Sequence, residues 1–265
     1  MDLHKLELRG PTTYNGRLPM IHDTSQRPWP LPQSPWVMAM RWHDLLFMHW
    51  PIRPEVLRPL IPAVLELDTF DGWAWLGVVP FRMTGVRPRL LPGFPYISAF
   101  PELNVRTYVK TPGRSGVWFF SLDAASWLAV RMARACYGLP YYDARMRVGQ
   151  EGEAVHYRST RTHRRAAPAT FEACYAPRGA VYHASPGTLD HWLTARYCLY
   201  SMNHRGRVGY GDIHHLPWPL QAAEADIRMN TMAMPLHLDL PNTQPLVHFA
   251  RRLEVVAWSV VPLGM

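Results

Sequence analysis

Four polar side chains alternate with mostly apolar ones between residues 102 and 109, and they are the strongest candidates for chemistry. Glu102, Asn104, Arg106 and Tyr108 share one face of a β-strand, because side chains two positions apart point the same way. If this face lines a cavity, Arg106 can bind a substrate carboxylate through two parallel hydrogen bonds. Glu102 is then a catalytic general acid or base once burial raises its pKa. Asn104 and Tyr108 complete the predicted substrate-binding surface, with Asn104 orienting a carbonyl group.

The alternation leaves two other interpretations open. The same pattern fits the solvated face of an ordinary strand, and it also fits a buried structural pair of Glu102 and Arg106. Alternation alone does not say which face of a strand lies inside.

His49 is the next candidate, as a substrate-binding pocket residue. It follows Trp42 and Asp44, and a histidine near an aspartate can transfer protons. Strict alternation places Trp42 and Asp44 on one face and His49 on the other, together with His43. A packed or capping histidine is the alternative interpretation of His49.

The remaining histidine pattern does not predict a metal site. His214 and His215 are neighbours, and neighbouring side chains on a strand point in opposite directions, although one of them can face a cavity. No acidic or histidine partner stands at ligand spacing, and no phosphate-binding glycine motif is present. We therefore expect neither a metal nor a cofactor.

Lysine is almost missing from the chain. Lysine and arginine together number 28, and only Lys5 and Lys110 are lysines. A nucleophilic lysine needs a pKa lowered by burial or by a cationic neighbour. Lys110 stands directly before a Thr-Pro-Gly turn, so we expect it to be solvated and not catalytic.

The composition indicates one mainly β domain. The 26 prolines in 265 residues disfavour long helices, and many short strand-like segments are separated by turn residues, as in a barrel or a sandwich. A few short helices are expected, including one capped by Asp123 that runs through Cys136 to Gly138. Residues 1–35 are rich in proline, and we interpret them as an irregular arm before a single domain of residues 36–265.

Charge and cysteine content restrict the partners. The net charge is +8, but the densest basic stretch, Arg161–Arg165, is short and carries no nucleic-acid motif, so no nucleic-acid partner is expected. No apolar stretch is long enough to span a membrane, and no signal peptide is evident. The three cysteines are far apart in the sequence, as is typical of thiols in a reducing cytoplasm. Oligomerisation stays open.

Five segments together resemble the YqjF-like family of uncharacterised proteins. They are Leu45–Pro51, Leu67–Gly72, Pro101–Val109, Gly116–Ala124 and Arg196–Tyr200. That family is similar to the acetoacetate decarboxylase superfamily, so the resemblance implies a closed antiparallel β-barrel with a central cavity.

The resemblance also implies where the chemistry departs from that of the decarboxylases. In them a lysine pair, two glutamates and an arginine line the cavity, and the strand of Glu102 is similar to one that carries a glutamate. The segment Gly116–Asp123 is similar to the strand leading to the lysine pair, but Ser121, Leu122 and Asp123 stand there. The Schiff-base nucleophile is missing, so we do not expect acetoacetate decarboxylase activity.

Two functions remain open after the sequence analysis. One is an enzyme that acts on a carboxylate- or carbonyl-bearing small molecule by acid–base chemistry without a Schiff base. The other is a non-catalytic barrel that binds or senses an apolar or aromatic ligand, which the 12% aromatic content would suit. A barrel filled by its own side chains ranks third.

Overall fold

The computed structural model describes residues 22–93 and 98–264, and within these ranges the chain is mainly β. The strands are β1 Met38–Ile52, β2 Glu66–Leu67, β3 Ala74–Pro88, β4 Phe100–Thr111, β5 Arg114–Ala124, β6 Tyr141–Glu151, β7 Ala154–Arg161, β8 Thr170–Tyr182, β9 Cys198–Met202, β10 Val208–His214, β11 Leu220–Asn230, β12 Leu246–Ala257 and β13 Val261–Pro262. The helices are α1 Pro54–Leu57, α2 Trp127–Tyr137 and α3 Leu189–Thr194, with short 3-10 turns at Arg58–Leu60 and Met234–Leu236. This confirms the prediction of a β protein with a few short helices.

All of these strands belong to one sheet. Hydrogen-bonded neighbours can be followed from β5 through β6, β7, β8, β11, β12, β1, β3 and β4 back to β5. The pairing is antiparallel except that β5 runs parallel to both β6 and β9, so the expectation of a wholly antiparallel sheet is wrong there. The reason is that α2 carries the chain from the end of β5 back to the start of β6, and such a crossover joins parallel strands.

A bulge in β1 overturns the faces assigned from strict alternation. Asp44 has a left-handed backbone (φ 50°), and β1 gains one residue relative to β3 between His43 and Met48. An extra residue reverses the alternation beyond it. Trp42 and His49 therefore point to the same side of β1, whereas His43 binds Thr84 (2.7 Å).

Aromatic contacts follow from this shared face. Trp42 stacks on Trp218 with ring centroids 5.7 Å apart, and Trp218 packs edge-on against Phe47 at 4.9 Å. Phe47 in turn stacks on His49 at 5.8 Å. A continuous aromatic layer thus connects Trp42 to His49, which the sequence pattern had separated.

The helix after β5 begins later than predicted. Asp123 is a buried residue of β5, and its carboxylate accepts two short hydrogen bonds from Arg161 (2.7 and 3.0 Å). Ser126 caps α2 instead, because its hydroxyl accepts from the Ala129 N–H (3.3 Å). Gly138 ends the helix with a φ of 62°, as predicted.

The described part of the N-terminal segment is held on the sheet by polar contacts. Residues 22–37 form neither an α-helix nor a strand, and residues 1–21 of the expected arm lie outside the described residues. The Trp29 indole and the Arg27 guanidinium both donate to Asp212, at 2.8 and 3.3 Å.

Among the described residues, no helix has the length and apolar character that a membrane crossing would need.

Candidate functional site

A pocket lies beside β4 and is bordered by β1, β3, β5 and one face of α2. The cavity has a volume of about 230 Å³. Most of the bordering side chains are apolar, and many are aromatic. The main charged or strongly polar members are Glu102, Asn104, Arg106, Thr194, Arg196 and His215.

The pocket side of β4 carries the polar face identified from the sequence. Glu102, Asn104 and Arg106 all border the pocket, with relative exposures of 2% for Glu102 and 5% for Asn104. Leu103 and Val105 on the opposite face belong to a separate buried apolar cluster. The face is therefore neither a solvated surface nor a Glu–Arg pair, since Glu102 and Arg106 do not form an ion pair with each other.

Glu102 is buried without a counterion among the described residues. Its carboxyl Oε2 accepts a hydrogen bond from the Tyr141 hydroxyl (2.7 Å). The nearby Arg161 binds Asp123 instead and leaves the negative charge of Glu102 uncompensated. Burial, opposed by the Tyr141 hydrogen bond and assisted by Asp123, raises the pKa of Glu102 to about 8. Glu102 therefore carries a proton at neutral pH.

This raised pKa should make stability fall as the pH rises. Between the ordinary pKa of 4.5 and about 8, the folded chain holds a proton on Glu102 that the unfolded chain has lost. Glu102 therefore contributes most to the free energy of unfolding at low pH. This contribution decreases by up to about 1.4 kcal/mol for each pH unit by which the pH rises through this range. We would measure the free energy of unfolding of wild type and Glu102→Gln in urea from pH 5 to pH 8. We expect the stability of the variant relative to wild type to increase as the pH rises, because only wild type loses the contribution of the Glu102 proton. A pH-independent difference between the two proteins would contradict the raised pKa.

Arg106 is a cation at the pocket wall without a bound carboxylate in the described part of the chain. Its guanidinium carbon lies 5.2 Å from the Phe47 ring centre and 5.8 Å from that of Tyr108. The buried Nε atom has no hydrogen-bond partner within that part, and the same holds for Oδ1 of Asn104. Buried polar groups are normally paired, so these two atoms are exceptions in the pocket wall.

Arg196 brings a second guanidinium to the same pocket. It is fixed by Asp68 (2.7 Å) and by the Trp192 carbonyl (2.6 Å), and its Nη2 is buried without a partner among the described residues. Burial lowers the pKa of Arg196, and the pairing with Asp68 opposes this shift. The nearby charge of Arg106 adds a smaller lowering effect. The sequence analysis did not single out Arg196, although it opens one of the segments that carry the family resemblance.

His49 and Tyr108 lie behind Arg106, and neither borders the pocket as described. Nε2 of His49 is 2.6 Å from the Tyr108 hydroxyl, which donates to the Leu193 carbonyl (2.9 Å). Because the hydroxyl hydrogen is used by Leu193, His49 must donate through Nε2, which makes it the neutral tautomer with a bare Nδ1. Burial, assisted by the charge of Arg106, lowers the pKa of His49 well below its usual range.

His49 and Tyr108 are not among the residues that line the pocket, and their contact with substrate stays a prediction. Helix α3 covers the strand at this level, with Trp192 4.7 Å from the Tyr108 ring. Tyr108 faces the same side as Arg106, but the helix closes the pocket before Tyr108 is reached. Such a pair can orient the guanidinium of Arg106 without touching a ligand.

His215 and Lys110 are each held by contacts of their own. His215 borders the pocket and donates through Nδ1 to the Leu216 carbonyl (2.7 Å), and the described residues contain no cluster of metal-binding side chains. The Lys110 side chain is 40% exposed and pairs with Glu66 (3.0 Å), which raises its pKa. A nucleophilic lysine needs the opposite shift.

Comparison with solved structures defines the class of fold. An acetoacetate decarboxylase-like enzyme from Sphingomonas wittichii RW1 shares 14% identity with a TM-score of 0.59, over 87% of this chain and 94% of that one. The enduracididine biosynthesis enzyme MppR shares 10% identity with a TM-score of 0.61, over 86% and 90%. Acetoacetate decarboxylase from Legionella pneumophila shares 12% with a TM-score of 0.57, over 91% and 94%. The fold is therefore acetoacetate decarboxylase-like.

The chain belongs to the DUF2071 family of uncharacterized conserved proteins, whose model matches residues 39–254. It is also 45% identical over 241 residues to the uncharacterized protein YqjF of Bacillus subtilis (strain 168). That alignment covers 91% of this chain and 98% of YqjF. The resemblance stated from the sequence segments is thereby confirmed.

Proposed function

We propose that the strand ring is a closed β-barrel with a central cavity, and that the cavity is the active site of an enzyme for a carboxylate- or carbonyl-bearing small molecule. The observation that carries the proposal is the row of Glu102, Asn104 and Arg106 on one pocket wall. Among the described residues it combines a buried acid with a raised pKa, an amide whose oxygen has no partner and a cation without a counterion. Such a set of converging polar groups in an apolar pocket is typical of active sites.

Each of the three side chains has a distinct role in the proposed reaction. Arg106 binds the substrate carboxylate, and Nη2 of Arg196, whose charge is paired with Asp68, offers a further donor. Glu102 is protonated at neutral pH, so it does not repel the anion and can donate its proton where negative charge develops. Asn104 holds a polar group of the substrate between them. Glu102 regains a proton from solvent water after product leaves.

The fold relatives support a ligand of this type without defining it. MppR has been described in complex with pyruvate, a keto acid. At 10% identity this likeness carries the fold and not the reaction, so the proposal depends on the residues of the present pocket.

A non-catalytic binding or sensing barrel is the second candidate. It is favoured by the stacked pair of Trp42 and Trp218, which borders the pocket together with Phe81 and Phe119. Such a wall suits an apolar or aromatic ligand that undergoes no chemistry. In that case Glu102 would contribute to affinity or to stability alone.

The test of the proposal is a ligand screen followed by turnover. We would measure the unfolding of wild type with keto acids, other carboxylates, aldehydes and neutral aromatics. A ligand at one hundred times its dissociation constant stabilises by about 2.7 kcal/mol, which such a scan detects. The proposal expects carboxylates to stabilise and at least one of them to be converted. Stabilisation by neutral aromatics alone, without conversion, would favour the binding barrel.

The proposed chemistry needs no lysine, and a lysine-free chain can be made with two substitutions. We expect Lys5→Met combined with Lys110→Met to keep turnover within about threefold of wild type, since the exposed Lys110 lacks the lowered pKa of a Schiff-base lysine. Borohydride treatment with a keto acid should leave the wild-type mass unchanged. Loss of turnover in the lysine-free chain together with a trapped adduct in wild type would restore the Schiff-base route.

We place the protein in a reducing compartment such as the cytoplasm. Cys136, Cys174 and Cys198 are all free thiols, which fits that setting. The proposed partner is a small molecule, and neither a nucleic acid nor a membrane is part of the proposal.

A further inference from the structure

The pocket is polar at one end and apolar at the other. Strand pairing sets Arg106 opposite Gly77 and Glu102 opposite Phe81, so the polar groups lie against one half of β3. Beyond Met83 the pocket continues along β3 to Pro88 without another polar side chain from that strand.

The pocket is much longer than a small keto acid requires. On β3 its border runs from Val79, which pairs with Asn104, to Pro88. Its volume of about 230 Å³ corresponds to roughly 15 to 23 water-sized positions, at about 10–15 Å³ each. A ligand that used the polar groups alone would leave most of this apolar space empty.

The apolar end is also the end that reaches solvent. Met132 on α2 borders the pocket and is 46% exposed, and Cys136 one turn further on is exposed as well. Met38 and Pro88, which pair with each other across β1 and β3, are half-buried. At the polar end Glu102, Asn104 and Arg196 are buried, at 2%, 5% and 5% exposure, and Arg106 is half-buried.

Small side chains on α2 leave space in the pocket wall. Ala129 and Ala133 stand one helical turn apart and both border the pocket. A larger side chain at Ala133 would project into the pocket. Ala135, two residues later, lies on the exposed face of the same helix.

We propose that the pocket binds an amphipathic carboxylate, whose acid group enters first to meet Arg106 while an apolar body of about ten carbon atoms fills the channel toward α2. This inference deepens the proposed function and rests on it for the carboxylate site. It adds the size and polarity of the rest of the ligand, which the polar groups do not define. The apolar side chains along β1, β3 and α2 form the surface for that body.

The test is a chain-length series. Isothermal titration of wild type with n-alkanoates from butanoate to dodecanoate should show affinity rising about fourfold per added methylene until the channel is full. Matching n-alkanols should bind far more weakly, since they lack the acid group for Arg106. Affinity that does not change with chain length overturns the inference. In that case the carboxylate site at Arg106 is still supported if Arg106→Ala weakens butanoate binding.

A substitution on α2 tests where the apolar body of the ligand lies. We expect Ala133→Phe to weaken decanoate binding by at least about tenfold, because the ring occupies space that the chain needs, and to leave butanoate within about threefold. Ala135→Phe is the matched control and should change neither. Equal weakening of butanoate and decanoate in Ala133→Phe would contradict the orientation, and the chain-length series on wild type remains decisive if that variant does not fold.

The outcomes separate the inference from the proposed function. Alkanols that bind as tightly as alkanoates would contradict the carboxylate site at Arg106, and with it the proposed role of Arg106 in the function. Short keto acids that bind and turn over while longer acids are excluded would leave the proposed function intact and overturn the amphipathic ligand.

Discussion

Glu102→Gln should abolish most turnover and leave carboxylate binding almost unchanged. Glutamine preserves the shape of the side chain and can still accept the hydrogen bond from Tyr141, which lies 2.7 Å from Oε2 in wild type. It cannot donate and regain an acidic proton, and a positioned general acid or base contributes about 10²- to 10⁴-fold to rate. We therefore expect kcat to fall by that range while Kd, measured by titration, changes by less than about threefold.

A matched control separates the loss of chemistry from a general effect of removing a glutamate. Glu55 is exposed on α1 and does not border the pocket of Glu102, so Glu55→Gln should retain full turnover. Wild-type kcat in Glu102→Gln would rule out proton transfer by this residue. A large change in Kd without any measurable turnover in either protein would instead identify Glu102 as a binding group of a non-catalytic barrel.

Arg106→Ala should weaken carboxylate binding by roughly 10- to 150-fold. Hydrogen bonds to a charged group contribute about 1.5–3 kcal/mol, and the Arg106 guanidinium is free to form them because it has no carboxylate partner in the described structure. Removing it leaves no buried negative charge behind, so the fold should lose little stability. Titration of the same carboxylate with wild type and variant gives the ratio directly.

Two further variants define what Arg106 contributes. Arg106→Lys keeps the charge but loses the two-pronged geometry, so we expect an intermediate affinity. Arg131→Ala removes an exposed arginine of α2 and should bind as wild type does. Equal affinity of wild type and Arg106→Ala for every carboxylate would exclude the anion site, whatever the effect on turnover.

The support behind Arg106 could not have been placed from the sequence. Strict alternation separated Trp42 from His49, because nothing in the residue types marks Asp44 as the position of a bulge. A left-handed aspartate is tolerated there, and its carboxylate binds Arg82 and Arg251. Those partners come from β3 and β12, far away in the chain.

The same limit explains the misplaced helix cap. Asp123 fits an N-cap by residue type, and an isolated segment would use it so. In the folded chain Arg161 of β7 reaches Asp123 and holds it inside the sheet, so Ser126 becomes the cap. A local preference of about 1 kcal/mol loses to a buried ion pair whose disruption costs about 3–5 kcal/mol.

The sequence by itself determined that Glu102, Asn104 and Arg106 share a face, that Lys5 and Lys110 are the only lysines, and that the fold resembles that of the decarboxylases. Alternation, composition and family resemblance are all properties of the linear chain. Only the tertiary structure decided that this face is the pocket side, that Arg196 joins it, and that burial beside Asp123 raises the pKa of Glu102. Burial and charge depend on strands distant in sequence, so their effects exist only after the sheet has formed.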